Sequence, residues 1–493
     1  MENIIYLFPT SIKITNYVEN KKIENSLSVW DKVRFKYTFK AFIKELDLDN
    51  ETDCLHIPAG YDFKYIKYNY PNYKIKDFRN MLNINNLPLE NVELKYEPKD
   101  NIQKNAIKFL MGHGFSKECT QKLLSLNTGA GKTYVAINYI INSKRRPILF
   151  VDQIHLKEQW IESILKFTNI TEDEIYVISG KDSIEKLLSM TQDERNKIKF
   201  YIAIYRTISN YLESLDDKFE LNDFIRNKLK VSVKLFDEAH IEYMNIFYLD
   251  TYIDCESIYI TATPKRSNPN ENKVFQNMFK EVRRITSEIN GEKIDKYHNI
   301  LLFKLNSHPT NEDQINTMNK YGFSAIDYNY YILNKKYDYF SGILLKLIFK
   351  NILKNGEGLK KIAILVSLNK LVDRLYEDIK NKIIENNWNY KVSKFNGQTK
   401  NKEEALNADI IVTTDKSFGR AIDVNDLTVL MNLVPFSSPV INEQIIGRLR
   451  YIEGKEVYYL DFVDIGFPSS KGQLYYKKKI FNKKAKKYYE YNY

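Results

Sequence analysis

Cysteine is scarce: Cys54, Cys119 and Cys255 are the only three in 493 residues, far apart, with no C-x-x-C pair and no paired histidines nearby. That spacing argues against a disulfide framework and a zinc site, and predicts reduced, buried thiols in a cytoplasmic protein. Long apolar runs are missing too. No stretch approaches the roughly 18 uncharged apolar residues of a membrane span, and the most apolar helical run, 343–353, is broken by Lys346 and Lys350. Met1-Glu2-Asn3 is not basic and the apolar run behind it stops at Pro9, so no secretory leader is expected. A nuclease-type carboxylate cluster is also lacking. What is present is 43% apolar residues, enough for ordinary cores, in a chain long enough for two to four domains. The net charge of +11 favours a polyanionic partner. Heavy use of Lys, Asn, Ile and Tyr is also what an AT-rich coding sequence produces.

The stretch around which the rest is arranged runs from Leu124 to Ile137. Gly129 and Gly131 let the backbone curl so that successive N–H groups point at one anion, with Thr128 and Ala130 completing the loop. Lys132 supplies a point charge for the β/γ-phosphates and Thr133 a hydroxyl for Mg²⁺, while Val135, Ala136 and Ile137 open an apolar helix whose N-terminal dipole adds to the same spot. Leu126 stands where the strict G-x-x-x-x-G-K-[ST] pattern has its first glycine.

Downstream, strands and helices alternate. Continuous apolar runs at 147–151, 200–205, 231–236 and 257–260 read as parallel strands buried on both faces. Each delivers polar residues at its carboxyl end, where open α/β sheets place ligands. The third runs into Asp237-Glu238-Ala239-His240 and the fourth into Thr261-Ala262-Thr263-Pro264. Asp237 suits a nucleotide-bound Mg²⁺, and Glu238 suits orienting and deprotonating an attacking water. A second α/β unit follows from about residue 345, with strands at 361–367, 394–397, 409–414, 428–433 and 457–461, and with 444–450 on a helix.

The flanks are less specific. Residues 1–95 read as a small separate module. In it the alternation of Tyr and Lys over 61–70 suggests a strand offering rings for base stacking, against the competing reading of a solvated strand with tyrosines packed inward. Pro98 and Asp100 end this module. Residues 286–345 read as a linker or insertion with no chemistry attached. The last 23 residues carry eight lysines against Glu490, interleaved with six tyrosines. Such a run is either a solvated face or an auxiliary nucleic-acid contact.

The order of these motifs resembles that of the superfamily 2 DExH helicases over residues 100–465. Gly129–Thr133 resembles motif I, 237–240 motif II, 261–263 motif III, 414–423 motif V and 444–450 motif VI. Within that superfamily the chain is most similar to the phage UvsW-like and poxviral transcript-release helicases. The resemblance implies an α/β fold of two tandem RecA-like parallel-sheet lobes (96–285 and 346–468) with ATP between them. A small α+β N-terminal domain and a basic C-terminal tail (469–493) flank the lobes. It implies that Gln103, early on a helix with its apolar stripe at 106, 107 and 110, reads adenine, although a plain surface glutamine is the competing reading. Gly419 and Asp423 would join the nucleotide site, Gln444 and Arg448 would reach the γ-phosphate, and Thr261 and Thr263 would couple hydrolysis to lobe movement. The last motif VI position is Tyr451 rather than arginine, so Arg448 is expected to be the main finger with Arg450 assisting. Nucleic-acid contacts are expected at Gln153, His155, Arg206, Thr207, Ser367 and Thr413, mainly through the backbone of the strand.

These readings converge on a monomeric ATP- and Mg²⁺-dependent DNA helicase or translocase acting on forked or branched DNA in phage-type replication, recombination or repair. An RNA-directed motor, a motor subunit of a restriction-type complex and a nucleic-acid-binding protein that no longer turns over ATP are the rivals.

Overall fold

The computed structural model describes residues 2–31, 35–47, 52–79, 87–112, 120–126, 129–152, 154–262, 264–266, 268–286, 296–319, 322–354, 360–397, 399, 401–419, 424, 426–436, 438–450, 452 and 454–493. Thr128, Gln153, Thr263, Asp423, Tyr451 and Cys119 lie outside them. The chain divides into two compact units, residues 1–291 and 292–493.

In the first unit a seven-stranded sheet runs in the order Ile175–Ile178, Phe200–Ile204, Pro147–Val151, Val233–Phe236, Glu256–Thr261, Gln121–Ser125, Arg283–Thr286, with every neighbouring pair parallel. Because side chains alternate across a strand, Ile148, Phe150, Tyr201, Ala203, Phe236 and Tyr259 fill the core on one face. Leu149, Val151, Ile202, Leu235, Ile258 and Ile260 fill the core on the other. Burial on both faces is what the uninterrupted apolar runs require.

The second unit repeats this plan. Its strands run in the order Val392–Phe395, Ile410–Thr414, Lys361–Val366, Leu427–Asn432, Val457–Asp464, His298–Leu305, Ala485–Asn492, again all parallel. Two tandem RecA-like lobes are therefore present. Three expectations need correction here. The 286–345 stretch is no linker: it contributes the strand His298–Leu305 to this sheet and the helical turns from Ala325 onward, whose Tyr328, Tyr331 and Tyr337 lie in the core. The 469–493 stretch is no tail, since it forms the helix Ser469–Lys484 and the sheet's edge strand. The helix expected over 444–450 is Pro439–Ile446 and ends before Arg448.

The N-terminal module has a five-stranded mixed sheet, Ile43–Asp47, Thr52–Pro58, Ser11–Ile14, Ile4–Leu7, Lys74–Asp77. It is not separate. Ile5, Leu7, Ile12, Leu55 and Ile57 belong to the same hydrophobic core as Phe236 and Phe247 of the first sheet's layer. Polar ties reinforce the joint: Thr10 donates to the Asp250 carbonyl at 2.5 Å and Thr120 to that of Pro9 at 2.6 Å. Gly60 packs so closely that a Cβ there would sit 2.3 Å from the Met278 oxygen. The Tyr-rich 61–70 segment is mostly a helix, Phe63–Asn69, rather than a strand. Asp62 caps it by accepting from Tyr65 N–H, and Tyr61, Ile66 and Tyr70 turn inward.

Candidate nucleotide site

Three neighbouring strands of the first sheet end at one place. Gln121–Ser125 leads into the phosphate loop, Val233–Phe236 into Asp237, and Glu256–Thr261 ends on Thr261 itself. Parallel register makes this convergence unavoidable: the carboxyl ends of adjacent strands lie side by side.

The loop turns on its glycines. Gly129 and Gly131 have φ of 83° and 81°, the left-handed region where a side chain is strained. Gly131 has a second constraint, because a Cβ there would lie 2.2 Å from Gln103 Nε2. Gly131 also starts the helix Lys132–Ser143, so the N–H groups of its first turn are available to an anion. Leu126, in place of the usual first glycine, is buried in the core and its carbonyl accepts from Lys132 Nζ at 3.1 Å. The Leu126 side chain thus anchors the loop in the core, while its backbone carbonyl, which any residue would offer, holds the ammonium. Gln103 is buried, donates from Nε2 to the Ala130 carbonyl at 3.3 Å and accepts from Lys99 N–H at 3.0 Å. A plain surface glutamine is thereby excluded.

Asp237 is held by its neighbours. Trp160 donates its indole N–H to Oδ2 at 2.8 Å and Glu238 its backbone N–H to Oδ1 at 2.9 Å. Burial pushes the Asp237 carboxyl up; those two donors and the nearby Lys132 pull it down, and Asp152 pushes it up further. An acid in this state gains from a cation placed beside it. Glu238 adopts φ of 47°, unusual outside glycine, and its Oε2 lies 3.3 Å from His240 Nδ1. The same nitrogen lies 2.9 Å from Thr261 Oγ1. His240 therefore joins the acid of one strand end to the hydroxyl of the next. Its pKa is pushed down to about 3 by burial, with Arg266 and Lys132 adding to the effect, so the ring is neutral at neutral pH.

Sequence reading passed over two residues of this cluster. Asp152 directly follows the strand Pro147–Val151, as Asp237 follows its own strand, and the strand-end rule would have found it. Trp160 carries no motif signal, yet a buried indole takes a hydrogen-bond acceptor, and here that acceptor is Asp237.

The remaining expected residues are placed as follows. Arg206 and Thr207 open the helix Tyr205–Ser214, with Thr207 Oγ1 accepting from Gly180 N–H at 3.0 Å. His155 is in the helix Ile154–Phe167, its backbone alone described. In the second unit Ser367 follows the strand Lys361–Val366 and its N–H donates to Asn329 at 2.6 Å. Thr413 is a correction: it is wholly buried inside its strand and presents no side chain at the surface. Gly419 ends the helix Asp415–Gly419. Gln444 is on the helix Pro439–Ile446, whereas Arg448 and Arg450 flank the buried Leu449 beyond its end. The Leu449 carbonyl accepts from Tyr297 OH at 3.2 Å and from His298 Nε2 at 3.0 Å, which fixes the backbone between the two arginines.

Residues 95–266 match the family model described as "Type III restriction enzyme, res subunit". No curated protein matches the chain by sequence. Among solved structures, Mss116p bound to ssRNA and AMP-PNP is similar at TM-score 0.52 and 15% identity, over 79% of this chain and 74% of that one. S. cerevisiae Dbp5 bound to RNA and ADP BeF3 is similar at TM-score 0.50 and 14% identity, over 80% and 89%. T4 UvsW is matched over 100% of both chains at 14% identity, but its TM-score of 0.35 carries no argument. At such identities the likeness shows the fold alone, two tandem RecA-like lobes.

Proposed function

We propose that this chain is a superfamily 2 motor, an ATP-dependent DNA helicase or translocase acting in the cytoplasm as a monomer on forked or branched DNA. The observation that carries the nucleotide chemistry is the meeting of Lys132 and Asp237, a cation and a buried acid, beyond the ends of the two strands that flank Glu256–Thr261, behind a loop of two left-handed glycines. The donor set fits a magnesium nucleotide. The loop N–H groups and Lys132 would hold phosphate oxygens, Thr133 and Asp237 would hold Mg²⁺, and Gln103 would read the base. Bound Mg²⁺ supplies charge neutralisation on the phosphates. Glu238 then orients and deprotonates water, and its tie through His240 to Thr261 supports a coupling role for that threonine. Gln444, Arg448 and Arg450 are assigned to the γ-phosphate by motif, and Gly419 and Asp423 to the nucleotide. Arg206, Thr207, Ser367, Gln153 and His155 are assigned to the nucleic-acid backbone.

The test is ATP turnover with single-stranded DNA, duplex, forked DNA and RNA. Forked DNA should stimulate most; Lys132→Ala and Glu238→Gln should abolish turnover. Arg448→Ala should retain nucleotide binding and lose about 10³-fold or more in rate, and retained turnover would remove its assignment. An RNA-directed motor is the second reading, favoured by the RNA in the Mss116p and Dbp5 structures. Stimulation by RNA alone would decide for it. The family description also keeps a restriction-type motor subunit in view, which would show as turnover dependent on a partner.

A further inference from the structure

The edge strand Ala485–Asn492 closes the second sheet with its outer side open. Its residues alternate between two faces. Toward the helix Ser469–Lys484 point Tyr488, which meets Phe481, and Glu490, which is paired with Lys304 and with Lys478 at 2.6 Å. Toward the other face point Lys487, Tyr489, Tyr491 and, just beyond the strand, Tyr493, without an acid among them. The three tyrosines remain 49%, 41% and 48% exposed.

They are not loose. Phe462 and Phe303 stack at 5.0 Å and 13°, and Phe303 and Tyr491 at 5.2 Å and 17°, so three near-parallel rings cross three adjacent strands and end in a half-exposed one. Tyr493 leans on the same Phe303 at 5.8 Å. Further along that face Lys360 lies over Tyr458 at 4.8 Å, and Tyr458 shares its register with Lys487 through Asn299. Tyr458 itself donates to Glu456 at 2.6 Å, and Glu456 is 3.7 Å from Lys486.

We propose that Lys487, Tyr489, Tyr491 and Tyr493 form a stacking platform for the unpaired bases of a single-stranded nucleic acid. Same-face residues on a strand are about 6.7 Å apart, roughly twice the 3.4 Å rise of stacked bases, so each ring can take one base of an opened strand. Pinned aromatic rings lose little freedom on binding, and stacking on them tolerates any base. The charges on this face suit a polyanion: Lys487 stands in line with the tyrosines, and Lys360 lies over Tyr458 further along. Lysines on an open sheet edge also discourage pairing with another protein strand, which disfavours a second copy as occupant. The assignment rests on the motor reading only for the class of polymer.

Removing 471–493 would take away a core strand, so point variants of the full chain are the test. Fluorescence anisotropy without nucleotide compares labelled oligo(dT), oligo(U) and a blunt duplex. The triple variant Tyr489→Ala, Tyr491→Ala, Tyr493→Ala should lose at least about tenfold in affinity for both single strands and keep its duplex affinity. The corresponding triple Phe variant should bind like the wild type. Lys487→Ala should reduce the salt slope by about 0.7. If the triple Ala variant melts early, Tyr489→Ala alone decides, since that ring does not lean on Phe303. Unchanged single-strand affinity, a Phe variant as weak as the Ala one, or a wild-type dimer dissolved by the Ala changes would each overturn the platform. ATP turnover is read separately: its absence in the wild type would defeat the motor reading, and its survival beside unaltered binding would defeat the platform only.

Discussion

Numbered by chain order within each sheet, both units run 3-4-2-5-6-1-7. The same scaffold carries different chemistry. In the first unit strand one ends in the phosphate loop with Gly131 and Lys132; in the second it ends at Leu305, followed by Asn306, Ser307 and His308, with Ser307 bonded to Asp464. Strand five leads into Asp237 in the first unit and ends on Asn432 in the second, where Asn432 donates to Asp461 at 2.6 Å. Both sheets also bury an ion pair on strand six. Glu256 is paired with Lys122 at 2.6 Å and with Arg145, and Asp461 with Lys477 at 2.8 Å. One copy thus spends its strand ends on a ligand site, the other on internal hydrogen bonds. A repeated topology does not repeat a function.

The largest expected effect on this comparison comes from truncation. Ending the chain before Ala485 removes strand seven of the second sheet and uncovers the edge of His298–Leu305; limited proteolysis should show the second unit losing protection while the first keeps it. Next come the buried pairs. Asp461→Ala strands a fully buried ammonium and should cost about 3–5 kcal/mol in denaturant unfolding. Glu256→Ala should cost less, because Arg145 is partly exposed and water can reach it. Equal losses would mean that the two pairs are interchangeable. Gly131→Ala should cost about 1–3 kcal/mol of local strain and displace Gln103, seen as weakened nucleotide binding together with a melting temperature lowered by a few degrees.

The most gradual effect is on pH. His240 and His298 are held down to about 3 and about 4, in both cases chiefly by burial. Between the ordinary value near 6.5 and those values the unfolded chain takes up protons that the folded chain refuses. Stability should therefore fall as pH drops below 6.5, by about 1.4 kcal/mol per pH unit for each ring. The loss is complete only below the folded values. His298→Gln should remove the second unit's share of that slope and leave the first unit's, measured as unfolding midpoints between pH 7 and 5.

The strand-end acids and the glycine loop were legible because local chemistry forces them: a parallel strand must be apolar throughout, and the first polar residue after it marks a ligand edge. The strands at 175–178, 283–286, 298–305 and 485–492 were not recognised. The last reads as a Tyr/Lys run, because an edge strand needs burial on only part of its surface and tolerates lysine and tyrosine elsewhere. The Tyr-rich insertion hid in the same way, since tyrosine serves equally as a core ring and as a surface one, and Tyr328 and Tyr331 are core.

By itself the sequence determined the alternation of apolar strand and helix, the two φ-permissive glycines before Lys132 and the Asp237–His240 set. Each of these is settled within a few residues by sterics, charge and burial. Only the tertiary structure decided that the N-terminal module shares a core with the first sheet, that Trp160 and Asp152 surround Asp237, and that the basic C-terminal stretch is a strand rather than a tail. Those outcomes depend on which surfaces meet across long stretches of chain, and packing between distant segments leaves no periodic mark on either of them.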